Sequence, residues 1–145
     1  MQVILRKPSK TDAEKIAEIE RACFRLPWTE NMIRSAIGRT DFCGVIAFAN
    51  DEPFGYVLGT QLFEDSELLR IAILPDFRGK GLGKELIDEF LRAVKRRGAE
   101  CVFLEVRVSN APAIGLYEKR GFERVRVREK YYENVEDAWE MKKNL

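Results

Sequence analysis

The run Arg78-Gly79-Lys80-Gly81-Leu82-Gly83-Lys84 constrains this chain more than any other stretch. An apolar segment, residues 68–74, precedes it. An amphipathic segment, residues 82–97, follows, with Leu82, Leu86, Ile87, Phe90, Leu91 and Val94 on one side. The pattern predicts a strand, a glycine-rich turn and a helix. Glycines let a backbone approach an anion closely, and the first amides of a helix have no internal acceptor. Those amides lie at the positive end of the helix dipole, so the turn reads as a cradle for a pyrophosphate.

Spacing separates the cofactor classes that use such a cradle. A P-loop ends in Gly-Lys followed by Ser or Thr, whereas this chain has Gly83-Lys84-Glu85 and no hydroxyl for magnesium. A dinucleotide fingerprint spaces its glycines G-x-G-x-x-G beside a first strand, whereas here they run G-x-G-x-G halfway along the chain. What remains is Arg-x-x-Gly-x-Gly at Arg78, Gly81 and Gly83. It resembles motif A of the GNAT acetyltransferase superfamily, which holds the pyrophosphate of acetyl-coenzyme A (acetyl-CoA).

Composition narrows the chemistry. The chain has 145 residues, 46% hydrophobic and 34% charged, which fits one domain over residues 1–145. A net charge of +1 gives no sign of direct nucleic-acid binding, and Lys95-Arg96-Arg97 reads as a solvated helix end. No apolar run is long enough to span a membrane, and the first residues lack the order of a signal peptide, so the expected compartment is the cytoplasm. Cys23, Cys43 and Cys101 are odd in number and far apart, and they read as small buried hydrophobes rather than a disulfide or metal framework. There is no histidine, which excludes Ser-His and Cys-His mechanisms; no metal is expected.

Periodicity and caps order the rest. A strand is expected at 3–7, then a helix opened by a capping box at Thr11-Asp12-Ala13-Glu14, and a second helix capped by Thr29 and ending at Ile37. Strands at 42–49 and 54–62 flank a turn at Asn50-Asp51-Glu52-Pro53, and a further strand covers 66–74. After the helix at 82–97 come a strand at 101–108, a helix at 111–119 capped by Asn110, and strands at 123–132 and 138–143. The order βααβββαβαββ predicts an α/β (α+β) fold, with about seven strands in a mixed central sheet and four helices. This is the element order of the GNAT fold, so the resemblance covers the whole chain.

The second half carries a further resemblance. Leu104-Glu105-Val106-Arg107-Val108-Ser109-Asn110 and Ala113-Ile114-Gly115-Leu116-Tyr117-Glu118-Lys119-Arg120-Gly121-Phe122 resemble motif B of the same superfamily. Within it they look like the RimI branch, which acetylates the N-terminal alanine of a small-subunit ribosomal protein. Ser66 to Ile73, Pro27-Trp28-Thr29, Tyr131-Tyr132 and Glu136-Asp137-Ala138 resemble that branch too. By alternation alone, Glu105 could face solvent or pair with Arg107 or another cation. The resemblance implies that it is the catalytic base and that Tyr117 is the acid beside the coenzyme sulfur. It also implies that acetyl-CoA is held by Ile71, Ala72, Ile73, Arg78, Gly79, Lys80, Gly81, Leu82, Gly83, Lys84, Asn110 and Tyr117. Leu26, Pro27, Trp28, Tyr131 and Tyr132 are expected to wall the acceptor, a protein N-terminus. Rival readings are a broad N-terminal acetyltransferase of archaeal type, an enzyme for lysine or a small amine, and a non-catalytic coenzyme A module. The sequence leaves the oligomeric state open.

Overall fold

The structure, a computed structural model, describes residues 1–132 and 135–145. Its helices are α1 (Ala13–Cys23), α2 (Glu30–Ile37), α3 (Leu82–Arg96) and α4 (Ala111–Lys119). Its strands are β1 (Val3–Arg6), β2 (Phe42–Ala49), β3 (Glu52–Leu62), β4 (Asp65–Ile73), β5 (Cys101–Arg107), β6 (Glu123–Tyr132) and β7 (Glu136–Asn144). They form one mixed sheet in the order β1-β2-β3-β4-β5-β7-β6, the α/β architecture expected from the sequence.

Strand alternation divides the core between the two faces of the sheet. Val45, Ala47, Val57 and Leu104 pack against Leu86, Ile87, Phe90 and Val94 of α3 and Tyr117 of α4. Their neighbours Ile46, Tyr56, Leu58 and Ala72 pack against Ile16, Ile19 and Ile33 of α1 and α2. Several ends follow the expected chemistry. Thr29 accepts from the Met32 amide at 3.2 Å, and Asn110 from the Ala113 amide at 3.2 Å. Gly98, at φ +95°, closes α3.

Two local expectations are corrected. The cap at the start of α1 is not built on Thr11. A 3-10 turn, Lys10–Asp12, precedes the helix, and the Asp12 carboxylate accepts from the Ser9 amide at 2.7 Å while Arg6 donates to it at 2.8 Å. The β2–β3 turn is shorter than expected. Only Asn50 and Asp51 have positive φ, 49° and 71°, and Glu52 and Pro53 already lie in the strand.

The feature that makes room for a site is an incomplete pairing. β4 pairs with β3 along its length, but with β5 in parallel only from Asp65–Leu68 to Cys101–Leu104. Beyond Leu68 and Leu104 the two strands part. The Leu74 amide donates to Phe54 of β3, so by alternation Ala72 also faces β3 while Ile71 and Ile73 face the gap.

A buried carboxylate holds the other side of that gap. Glu20 of α1 is fully buried. Arg70 of β4 donates to it at 2.5 Å, the Trp28 amide at 2.7 Å, and the Tyr56 hydroxyl also donates to it. The Arg70 guanidinium lies 4.0 Å from the Phe24 ring centre and 5.1 Å from that of Trp28. Removing one partner of a buried pair strands the other charge, at a cost of about 3–5 kcal/mol. We expect Arg70→Met to lose about 3 kcal/mol in urea denaturation and Arg70→Met with Glu20→Leu to recover much of it. Equal losses for the single and double variants would contradict this.

Candidate active site

The glycine-rich turn lies where β4 ends and α3 begins. Gly79 and Gly81 both have φ of +77°, and no atom lies within 4 Å of where their side chains would start. The first bond across the start of α3 runs from the Glu85 amide to the Gly81 carbonyl at 3.3 Å. The amides of Leu82, Gly83 and Lys84 therefore have no acceptor within the helix. Below the turn lies a groove of about 660 Å³. Of the residues expected to hold acetyl-CoA, Ile71, Ala72, Ile73, Arg78, Gly79, Gly81, Leu82, Gly83, Lys84, Asn110 and Tyr117 line it.

Lys80 does not. It borders a separate hollow with Asp88 and Arg92, and its ammonium lies 5.7 Å from the Phe77 ring centre. Arg78 reaches the groove, but its guanidinium turns back along it. Nε donates to the Ile73 carbonyl at 2.9 Å, and Nη2 lies 3.6 Å from Cys23 Sγ. Cys43 and Cys101 are buried, as expected, whereas Cys23 is half-buried and lines the groove.

A second groove, about 360 Å³, shares Phe24, Ile71, Asn110, Ala113 and Tyr117 with the first and adds Leu26, Arg70, Glu105, Arg107 and Tyr132. Tyr117 is 5% exposed and packs edge-on against Phe122 at 5.8 Å. Burial, with a smaller push from Tyr132, raises its phenol well above the ordinary value, so it keeps its proton even in alkaline solution. Tyr132 is pushed up to about 12, by burial first and then by Tyr131 and Glu105. Glu105 pairs with a cation, but with Arg128 of β6 at 2.7 Å rather than with Arg107. Arg107 pairs with Glu136 at 3.2 Å and lies over the Tyr132 ring. The second carboxylate oxygen of Glu105 is buried and makes no hydrogen bond among the described residues.

Of the residues expected to wall the acceptor, Leu26 and Tyr132 line this second groove. Tyr131 stands behind Tyr132, edge-to-face at 5.0 Å. Trp28 lies elsewhere, in a neighbouring pocket with Glu67 and Leu69. Pro27 lines neither groove. Sequence reasoning missed Phe24, Arg70 and Leu116, which line the grooves because of tertiary contacts. Arg70, a charged residue in an apolar strand, was the one visible signal. No three metal-ligating side chains cluster among the described residues.

Open glycines at a helix start, an unpaired strand edge and a groove ending at a protonated tyrosine define a protein that binds a long thioester cofactor by its pyrophosphate and pantetheine. Comparisons agree with that class. Residues 13–122 match the family described as Acetyltransferase (GNAT). Ribosomal protein bS18-alanine N-acetyltransferase of Salmonella typhimurium is 32% identical over 86% of this chain and 83% of its own. An uncharacterized N-acetyltransferase of Methanocaldococcus jannaschii is 32% identical over 94% of this chain and 88% of its own. The crystal structure of ribosomal-protein-S18-alanine N-acetyltransferase from Escherichia coli superposes with a TM-score of 0.92 at 28% identity, covering 99% of this chain and 94% of that one. The chain belongs to the GNAT acetyltransferase family and is an acetyl-CoA-dependent N-acetyltransferase.

The groove fits that cosubstrate. The amides at the start of α3 and the Lys84 ammonium suit the pyrophosphate, and the outward-facing peptide groups of Ile71 suit a pantetheine amide. Gly83 tests the assignment well, because its side-chain position meets only Ile73 and Leu116, each at 3.4 Å. Gly83→Asp is expected to fold and to weaken coenzyme A binding at least about tenfold in calorimetry. Unchanged affinity in the folded variant would remove the turn from the cofactor site.

Proposed function

We propose that the protein transfers the acetyl group of acetyl-CoA to the N-terminal α-amine of a protein, in the cytoplasm. The acceptor is the N-terminal alanine of a small-subunit ribosomal protein, a reading supported by the relatives in Salmonella typhimurium and Escherichia coli, which are named for an alanine of ribosomal protein bS18. The carrying observation is the buried, unpartnered oxygen of Glu105 on a groove that meets the cofactor groove at Tyr117. A buried acceptor atom left unpaired is costly, and an incoming ammonium or amine satisfies it.

Acetyl-CoA supplies an acetyl group activated as a thioester. Glu105 takes a proton from the α-ammonium through Oε2, while Arg128 holds Oε1 and fixes the carboxylate. The neutral amine then attacks the thioester carbonyl directly, without an acyl-enzyme: the new C–N bond replaces the C–S bond, and the nitrogen releases its remaining extra proton to solvent. Tyr117, a phenol that burial makes still harder to ionise, donates to the departing sulfur. The Phe24–Leu26 stretch and Tyr132 bound a slot that suits an extended chain end.

Glu105→Gln is expected to lower kcat by about 10²-fold or more while leaving acetyl-CoA affinity nearly intact, because shape is kept and basicity lost. Tyr117→Phe is expected to slow kcat with at most a slight loss of affinity. Wild-type turnover is expected to rise up to about pH 8, where an α-amine deprotonates, and to hold above it because Tyr117 and Tyr132 stay protonated. Full activity and an unaltered pH profile in Glu105→Gln would assign the base elsewhere.

Peptides beginning with a free alanine are expected to be acetylated, and blocked peptides with internal lysines to be poor substrates. Mass spectrometry that found acetyl-lysine and unmodified N-termini would overturn the acceptor assignment and leave the family assignment standing.

A further inference from the structure

Beside the acceptor groove lies a smaller pocket of about 260 Å³ that the transfer chemistry leaves unused. Leu69, 41% exposed, lines both and forms the ridge between them. The pocket has apolar walls from Leu58 and Leu69, the ring of Trp28, and one carboxylate, Glu67. Glu67 makes no ion pair among the described residues, whereas its neighbours Glu105 and Glu140 hold Arg128 and Arg126 at 2.7 and 2.6 Å. Burial, and then the charge of Glu105, raises its carboxyl above the usual range, with Arg128 pulling the other way. Arg39 at the rim is held by Asp41 at 2.9 Å, which leaves Glu67 as the carboxylate of the pocket wall without a direct ion pair among the described residues.

We propose that this pocket is a subsite for a basic side chain, lysine or arginine, at the second or third residue of the acceptor. The inference rests on the acceptor reading above, in which the chain end enters the adjoining groove. Glu67 lies two residues before Leu69 on β4, and the register against β3 slips at Leu69, so the pocket is displaced from the ridge by at most about 7 Å. That is also the spacing of alternate side chains in an extended peptide. A lysine or arginine stem packs on Leu58 and Leu69, its cation lies near the face of Trp28, and its head reaches Glu67. Neutral side chains fill the apolar part alone, and an acidic one meets Glu67 with like charge.

The test is a panel of peptides with N-terminal alanine and lysine, arginine, glutamine or glutamate at the second or third position. We expect wild-type kcat/KM to be about tenfold higher for lysine or arginine than for glutamine at one of these positions, and lower again for glutamate. Glu67→Gln is expected to bring the lysine-to-glutamine ratio near unity, and Glu67→Lys to reverse the order in favour of glutamate. Trp28→Leu is expected to reduce the ratio by about twofold to fivefold, the scale of a cation–π contact. Equal wild-type rates for every peptide would overturn the subsite and leave the acceptor reading standing. So would a Glu67→Gln variant that slowed all peptides alike, which would instead assign Glu67 to proton removal. Acetylation of none of the peptides, while lysine side chains are modified, would overturn the acceptor reading and the subsite together.

Discussion

The buried pair of Glu20 and Arg70 is the interaction on which the acceptor side of this molecule depends. A carboxylate with no exposed surface is tolerated only when its lone pairs are used, and Glu20 receives donors from Arg70, Tyr56 and the Trp28 amide. These belong to α1, β3, β4 and the segment that links the first two helices. One charge thus joins four parts of the chain. Arg70, lying between Phe24 and Trp28, sets where that segment stands over the sheet. The wall of one groove and the floor of its neighbour are therefore positioned by the same side chain.

The other requirement is the parting of β4 from β5. A continuous ladder would have used every peptide group of both strands. Pairing stops at Leu68 and Leu104, which leaves Ile71 and Ile73 facing a gap and sets Glu105 at its edge. Ile73 does not stay free, since Arg78 and Cys23 both reach its carbonyl. Ile71 remains available. One groove at this gap is lined from the α3 side and the other reaches Tyr132 of β6, and the two share Tyr117.

Proton handling follows from differences in environment. Tyr117 and Tyr132 lie on one groove, and burial extends their protonated range to higher pH than that of a free phenol. Glu105 has one oxygen fixed by Arg128 and one left open. Glu67, one strand away, has no ion partner among the described residues and lines a different pocket from Glu105. Two carboxylates close in space thus stand in two different environments, which is why we propose different roles for them.

The amino-acid sequence by itself determined what depends on near neighbours. The strand, glycine turn and helix of residues 68–97, the Thr29 and Asn110 caps, and the two-faced pattern of the strands all follow from spacing and backbone preference. Glu105 and Tyr117 were legible as a pair because they belong to a recognisable run, and both line one groove. What only the tertiary structure decided concerns groups far apart in the chain. Arg78 turns back onto Ile73 and Cys23, and Arg128, not Arg107, holds Glu105. Trp28 stands across the Leu69 ridge from Tyr132 because Glu20 captures its amide. Local periodicity carries no information on which distant partner a charge will meet. Burial and through-space pairing make that choice, and they exist only once the chain has folded.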